Sequence, residues 1–213
     1  MKTDDMIKAL VADNPVVSRP IGRTIALWLA VGAVVGSAVF MALAGVRADF
    51  GYQITHSWEF VLKFVFTLAV LIPALALVRR LARPEGDASG LAIWLILPVA
   101  IMLAAMGYDM ATAGAAHATS MVFLPNWSKC VVLIPILSLA PLAAVLTALK
   151  QGAPAHPALA GAVGGLLSGA MGATLYASHC DADSPLFVGV WYPLGIVAVT
   201  ALGGLIGSRL LKW

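Results

Sequence analysis

The sequence predicts an all-α integral membrane protein, a bundle of six transmembrane helices preceded by a short cytoplasmic amphipathic helix. Hydrophobic residues make up 61% of the 213-residue chain and charged residues only 11%, whereas a soluble domain is about half apolar and about a quarter charged. The charges also lie between long apolar runs, where a membrane protein keeps them. A bilayer accommodates apolar surface that a soluble fold of this size could not bury.

Six stretches are long enough to cross a bilayer, which requires roughly 20 mostly apolar residues. Lys63 is the one charge inside them, and because it lies near the start of the second stretch we expect it to snorkel outward. The third stretch is the shortest. Together they define a transmembrane domain at residues 23–213, with spans at about 24–46, 60–78, 90–107, 131–149, 158–176 and 186–208.

The distribution of Lys and Arg predicts the orientation of these spans. If the chain crosses the membrane six times, ten of its thirteen Lys and Arg residues fall on the side of the N-terminus. Basic residues are retained in the cytoplasm, so we expect both termini to be cytoplasmic in a bacterial inner membrane. The three remaining basic residues, Arg47, Lys63 and Lys129, are then on the periplasmic side.

Residues 1–22 differ in composition from the rest and predict a separate cytoplasmic segment. Thr3 or Asp4 can cap a helix, and Asp4 and Asp5 suit its positive end. A helix of this length is barely stable alone, so it either docks on a soluble protein, lies on membrane lipid, or frays. An apolar stripe at helical spacing makes the helix amphipathic and is compatible with docking or with a position on lipid: Met6, Ile7, Leu10 and Val11.

Glycines recur every four residues in the fifth span. Gly161, Gly165 and Gly169 share one helix face, and Gly203 and Gly207 repeat the spacing in the sixth span. Small residues at this spacing let two helices approach closely. The pattern predicts tight packing inside the bundle, and a homodimer interface is the alternative.

The two cysteines, Cys130 and Cys180, are expected at the periplasmic ends of the fourth and fifth spans. Neighbouring antiparallel helices would allow a disulfide but would not require one, and the periplasm favours oxidation. The alternatives are a structural bridge, two inert thiols, or a pair that responds to oxidants or metals.

A small group of possible metal ligands surrounds the second cysteine. Thiolate and imidazole together would suit a soft or borderline metal ion. The spacing matches no strong metal motif, so we expect no permanent metal site and no cofactor. The weak candidates are His179, Cys180, Asp181 and Asp183.

Several classes of function are disfavoured. The chain has no HExxH, GxSxG or phosphate-loop motif, so we do not expect an enzyme. The spans carry almost no buried charge, which weakens the alternative of a small-molecule or ion transporter. A formal net charge of +3 is too small to indicate direct binding of nucleic acid.

Three motifs in order carry a resemblance to a known family. The first ten residues, MKTDDMIKAL, resemble the N-terminus of the NrsF family, with Met6 where Leu is expected. The stretch CVVLIPILSLAP at 130–141 is similar to the fourth helix of that family. The stretch HCDADSPLF at 179–187, followed by VWY at 190–192, is similar to its second cysteine motif.

The resemblance implies a bacterial anti-sigma factor with six transmembrane helices. Such a protein holds an extracytoplasmic-function sigma factor at the inner membrane and releases it under stress. The resemblance places stress sensing at Cys130 and Cys180 and sigma binding in the N-terminal segment. There the apolar stripe would enter a groove on the sigma factor and the acidic residues would meet basic ones, so the implied contact residues are Thr3, Asp4, Asp5, Met6, Ile7, Leu10 and Val11.

Overall fold

A computed structural model describes residues 3–13, 21–114, 120–124 and 127–212, and within these ranges the chain forms helices and no strand. The all-α fold class is thereby confirmed. In chain order the elements are α1 (Thr3–Asp13), α2 (Ile21–Leu43), α3 (Phe50–His56), α4 (Trp58–Leu81), α5 (Ser89–Ala92), a 3-10 turn (Ile93–Leu95), α6 (Ile96–Ala113), α7 (Trp127–Lys150), α8 (Pro157–Ala177) and α9 (Pro185–Leu210).

Six helices are long and apolar enough to cross a membrane, and they correspond to the six predicted spans. They are α2, α4, the run Ser89–Thr112 formed by α5 to α6, α7, α8 and α9. The third span is longer than predicted, because the helix continues through Tyr108 and Asp109. The Asp109 carboxylate accepts a hydrogen bond from the Ser184 hydroxyl at 3.0 Å, which satisfies this charged side chain at the helix end.

Large apolar side chains cover the outside of the bundle. A soluble monomer rarely exposes a continuous apolar surface of this kind, whereas lipid tails solvate it. Examples from five of the six long helices, each about half exposed or more, are Leu27, Val34, Ile72, Leu103, Val132, Val197 and Leu205.

Helix α8 lies at the centre of the bundle and packs against α4, α7 and α9, while α2 packs on α7 and α6 packs on α9 and α4. The buried side chains form one cluster near each end of the bundle. We call the end with Cys130, Tyr176 and Cys180 the thiol end. The opposite end, which holds Ile25, Leu149 and Leu211 and the basic last turn of α4, is called the arginine end.

The glycine stripe lies between α8 and α9, as the packing interpretation predicts. A Cβ on Gly161 would lie 2.3 Å from the Gly203 carbonyl oxygen, and a Cβ on Gly165 would lie 2.4 Å from the Val199 carbonyl oxygen. The two backbones therefore approach to a distance that no side chain would allow. Because this face is occupied within the bundle, the stripe no longer favours a homodimer.

Gly165→Ala is expected to destabilise the protein, because the new methyl group meets backbone atoms of α9 that cannot rotate away. Overpacking of this kind costs typically about 1–3 kcal/mol. Gly107→Ala is the matched control, since a Cβ at Gly107 meets nothing within 4 Å and alanine favours a helix. Thermal unfolding of the detergent-solubilised protein, followed by far-UV circular dichroism, should show a lower Tm for Gly165→Ala alone. Equal Tm values for the two variants would contradict the packing.

The N-terminal segment forms a helix where the sequence predicts one. Helix α1 spans Thr3–Asp13, with Asp4 and Asp5 in its first turn. Met6 and Ile7 are 49% and 54% exposed, so this part of the apolar stripe is available to a partner. Leu10 and Val11 lie within the helix, but their side chains are outside the described part of the structure.

Candidate functional site

The thiol end brings together the two cysteines that the sequence singles out. Cys130 lies in the first turn of α7 and Cys180 in the loop between α8 and α9. Both are free thiols and both are buried, with 0% and 2% of their surface exposed. The two thiols are in hydrogen-bonding contact. The structure thus brings the two cysteines together at one end of the bundle without a disulfide between them.

Two tyrosines complete the surroundings of the thiol pair. The Cys130 sulfur and the Tyr176 hydroxyl are in hydrogen-bonding contact at 3.4 Å. The Tyr192 hydroxyl is buried and makes no hydrogen bond of good geometry to any described residue, although it lies close enough to Cys180 to interact with its thiol. Helices α7, α8 and α9 and the α8–α9 loop therefore meet at one small polar cluster inside an apolar core.

Lys63 does not snorkel outward, so that expectation is wrong. Its side chain is fully buried, its Nζ donates to the Cys180 carbonyl oxygen at 2.9 Å, and it forms an ion pair with Asp183. A buried amine needs both a counter-charge and hydrogen-bond acceptors. The α8–α9 loop supplies them, and this explains why Lys63 turns inward.

Arg47 holds the same loop through the same two groups. Its guanidinium donates to the Cys180 carbonyl oxygen at 3.1 Å and pairs with Asp183 at 3.2 Å, while Nε pairs with Asp49 at 2.6 Å. The hydrogen bond to Asp49 raises the pKa of Arg47, and the Arg47 guanidinium holds the pKa of Asp49 well below its usual range. The carbonyl of Cys180 thus accepts from two cationic side chains.

The backbone ties this loop to the loop after α2 as well. The Arg47 backbone N–H donates to the Ser178 carbonyl oxygen at 3.1 Å, and the Nδ1 of His179 lies 3.1 Å from the Gly45 carbonyl oxygen. Together with Lys63, these contacts make the α8–α9 loop the meeting point of the segments at the thiol end.

These surroundings favour the thiolate of Cys180. They lower the pKa of Cys180 to about 6. The hydrogen bond from the Cys130 thiol is the largest cause of this lowering, burial of Cys180 opposes it, and the positive charge of Lys63 adds to it. Thiolates, rather than thiols, are the nucleophiles and the metal ligands. The arrangement can therefore react with an electrophile or an oxidant, or bind a thiophilic cation.

The weak metal candidates are not gathered into a metal centre. The carboxylate of Asp183 is engaged by Lys63 and Arg47, and His179 faces the Gly45 carbonyl. Asp181 also has an interaction partner. Within the described ranges, no three His, Cys, Asp or Glu side chains are placed to hold a metal ion together.

Sequence reasoning missed four members of this site: Lys63 as a buried cation, Arg47, Tyr176 and Tyr192. A signal was available for Lys63, since a lone charge within a span requires a partner. The tyrosines carried no signal, because aromatic residues in an apolar run indicate core or interface equally well.

The fold and the site define a helical bundle with six apolar spans, an exposed N-terminal helix and a buried thiol pair at one end. A family profile described as "Negative regulator of sigma F", NrsF, matches residues 10–213. The chain is 35% identical over 214 residues to the probable anti-sigma-F factor NrsF of Azospira oryzae. It is 34% identical over 217 residues to the anti-sigma-F factor NrsF of Caulobacter vibrioides. Both alignments cover the whole of each chain, and no solved structure matches.

The chain therefore belongs to the NrsF family, whose curated relatives are anti-sigma-F factors. This is a family of regulatory proteins, and the resemblance seen in the three sequence motifs is confirmed.

Proposed function

We propose that this chain is a membrane-bound anti-sigma factor, which sequesters an extracytoplasmic-function sigma factor through its N-terminal segment and releases it when Cys130 and Cys180 register a stress. The observation that carries the proposal is the buried, unbridged thiol pair at the meeting point of α4, α7, α8 and α9. Full-length similarity to anti-sigma-F factors supports the regulatory role.

The bundle is proposed to lie in the inner membrane with the arginine end in the cytoplasm. The apolar outer surface and the six spans support insertion. The bias of Lys and Arg towards the arginine end supports the orientation. With this orientation, α1 lies in the compartment where sigma factors act, and the thiol pair faces the periplasm.

Helix α1 is proposed as the docking element for the sigma factor. It is short and would be marginally stable alone, so packing on a partner would stabilise it. Met6 and Ile7 expose apolar surface that such a partner would cover. Asp4 and Asp5 place negative charge beside it, which suits the basic surface of a protein that binds promoter DNA.

The thiol pair can bias the bundle because its two members belong to different elements, α7 and the α8–α9 loop. Hydrogen peroxide would accept two electrons and two protons from the thiols, giving a Cys130–Cys180 disulfide and two molecules of water. A thiophilic divalent cation would instead displace two protons and bridge the sulfurs.

Either change acts only if it favours one arrangement of the helices over another. A bridge that closes a loop of about 50 residues contributes on the order of 4 kcal/mol in the chain-entropy model. If this stabilisation differs between two helix arrangements, each 1.4 kcal/mol of the difference changes the ratio of their populations tenfold.

Sigma capture tests the proposal directly. The tagged full-length chain, purified in mild detergent, should retain a small protein that peptide sequencing identifies as an extracytoplasmic-function sigma factor. The chain without residues 1–22 should insert equally well and retain none. Capture of the same sigma factor by both forms would contradict the docking role of the segment, and capture by neither would contradict the proposed function.

A further inference from the structure

Lys63 is fully buried and lies on α4, yet its contacts are with a loop that follows α8. Its ammonium binds the Cys180 carbonyl oxygen at 2.9 Å and pairs with Asp183. It also lies 5.0 Å from the centre of the Phe60 ring, which shields it on another side. These contacts fix both ends of the loop segment from Cys180 to Asp183 against α4.

The two thiols therefore have unequal surroundings. Cys130 is part of a regular helix, and its hydrogen bonds go to Tyr176 and to the other thiol. Cys180 lies in the loop held by Lys63, and its thiol also contacts the Ala182 carbonyl oxygen at 3.7 Å. Of the two sulfurs, the positive charge of Lys63 favours a negative charge on Cys180.

We propose that Lys63 is a positioning residue that makes Cys180 the reactive member of the thiol pair, and that Asp183 holds Lys63 in place. Cys180 reacts first as the thiolate, and Cys130 is the second thiol, which donates a hydrogen bond to that thiolate. The biological use of this asymmetry rests on the proposed sensing function, but the asymmetry itself is a property of the folded chain.

The chemistry that reveals the asymmetry is alkylation by iodoacetamide. The Cys180 thiol loses its proton to water, the sulfur attacks the methylene carbon, the S–C bond forms, and the C–I bond breaks as iodide leaves. The reaction consumes one thiolate per event, so a limiting amount of reagent reports which sulfur is the better nucleophile. Both sulfurs are similarly buried in the structure, and the Lys63 variants separate the effect of charge from that of access.

The experiment uses the full chain in detergent, treated with less than one equivalent of iodoacetamide and analysed by peptide mass spectrometry. Cys180 should be labelled about tenfold more than Cys130, because a lower pKa populates more thiolate. Lys63→Met should measurably reduce this preference, and Lys63→Arg should restore much of it. Lys129→Met is the matched control, since Lys129 is exposed on the first turn of α7 and its loss should leave the ratio unchanged.

A second variant covers the case in which Lys63→Met does not fold. Asp183→Asn keeps the amine but removes the carboxylate that holds it in place, so the ammonium is no longer fixed beside Cys180 and the preference for Cys180 should fall. The proposal would be overturned if Cys130 were labelled as fast as Cys180 or faster, or if neither thiol reacted in the native protein. It would also be overturned if the ratio were unchanged in Lys63→Met.

The labelling ratio also separates this inference from the proposed function. A chain that shows the Lys63-dependent ratio but captures no sigma factor overturns only the proposed function. A chain that captures and releases the sigma factor but lacks the ratio overturns only the role of Lys63.

Discussion

Leu10→Asp is expected to weaken capture of the sigma factor by about a hundredfold or more. The substitution places a charge in the middle of the apolar stripe of α1. Burying an unpaired charge against an apolar groove costs several kcal/mol, and each 1.4 kcal/mol is a factor of ten in affinity. Titration of the purified full-length protein with its sigma factor measures the loss, and target-gene expression should rise in unstressed cells.

Ala9→Asp is the matched control for this prediction. It adds the same charge to the same helix, but helical spacing places residue 9 off the stripe formed by Met6, Ile7, Leu10 and Val11. Capture by Ala9→Asp should fall far less. If Leu10→Asp protein, present at normal levels, captured the sigma factor as well as the parent does, α1 would not be the contact.

The double substitution Cys130→Ser, Cys180→Ser is expected to abolish release of the sigma factor under stress while leaving repression intact. Serine is close to cysteine in size, and its hydroxyl can replace the hydrogen bond to Tyr176, so the bundle should remain folded. The variant can neither form a disulfide nor bind a thiophilic cation. Target-gene output should therefore stay at the repressed level across peroxides and thiol-binding metals that induce the parent strain at least tenfold.

The single substitutions identify what each thiol does. These are the only two cysteines in the chain, so each single variant retains one thiol and excludes an intramolecular bridge. Normal induction in a single variant would show that modification of the remaining thiol is sufficient. Normal induction in the folded double variant would instead leave both cysteines without a sensory role.

The spans and α1 were predictable because each depends on local properties of the sequence. A run such as 186–208 is long and uncharged, and the stripe from Met6 to Val11 repeats at helical spacing. The third span was predicted too short because its end was set at Tyr108 and Asp109. The partner that satisfies Asp109, Ser184, lies far along the chain.

The site was less predictable because its geometry depends on which side chains face each other. Cys130 and Cys180 could be paired from their expected depth. The inward orientation of the Lys63 side chain could not be predicted, since it depends on Asp183 and on the Cys180 carbonyl. In the sequence, a lysine that is buried looks the same as a lysine that snorkels to the membrane surface. The two cases can be told apart only when the counter-charge has been located.

Burial of Lys63 also determines how the thiol end responds to its ionic environment. Exposed ion pairs weaken as salt rises, with a screening length of about 8 Å at physiological ionic strength, but pairs excluded from water are screened much less. A loop held only by exposed ion pairs would therefore loosen as the ionic strength rises. Because the lysine side of the Lys63–Asp183 pair is closed to solvent, we expect this pair to hold the α8–α9 loop, and with it the thiol pair, at low and high salt alike.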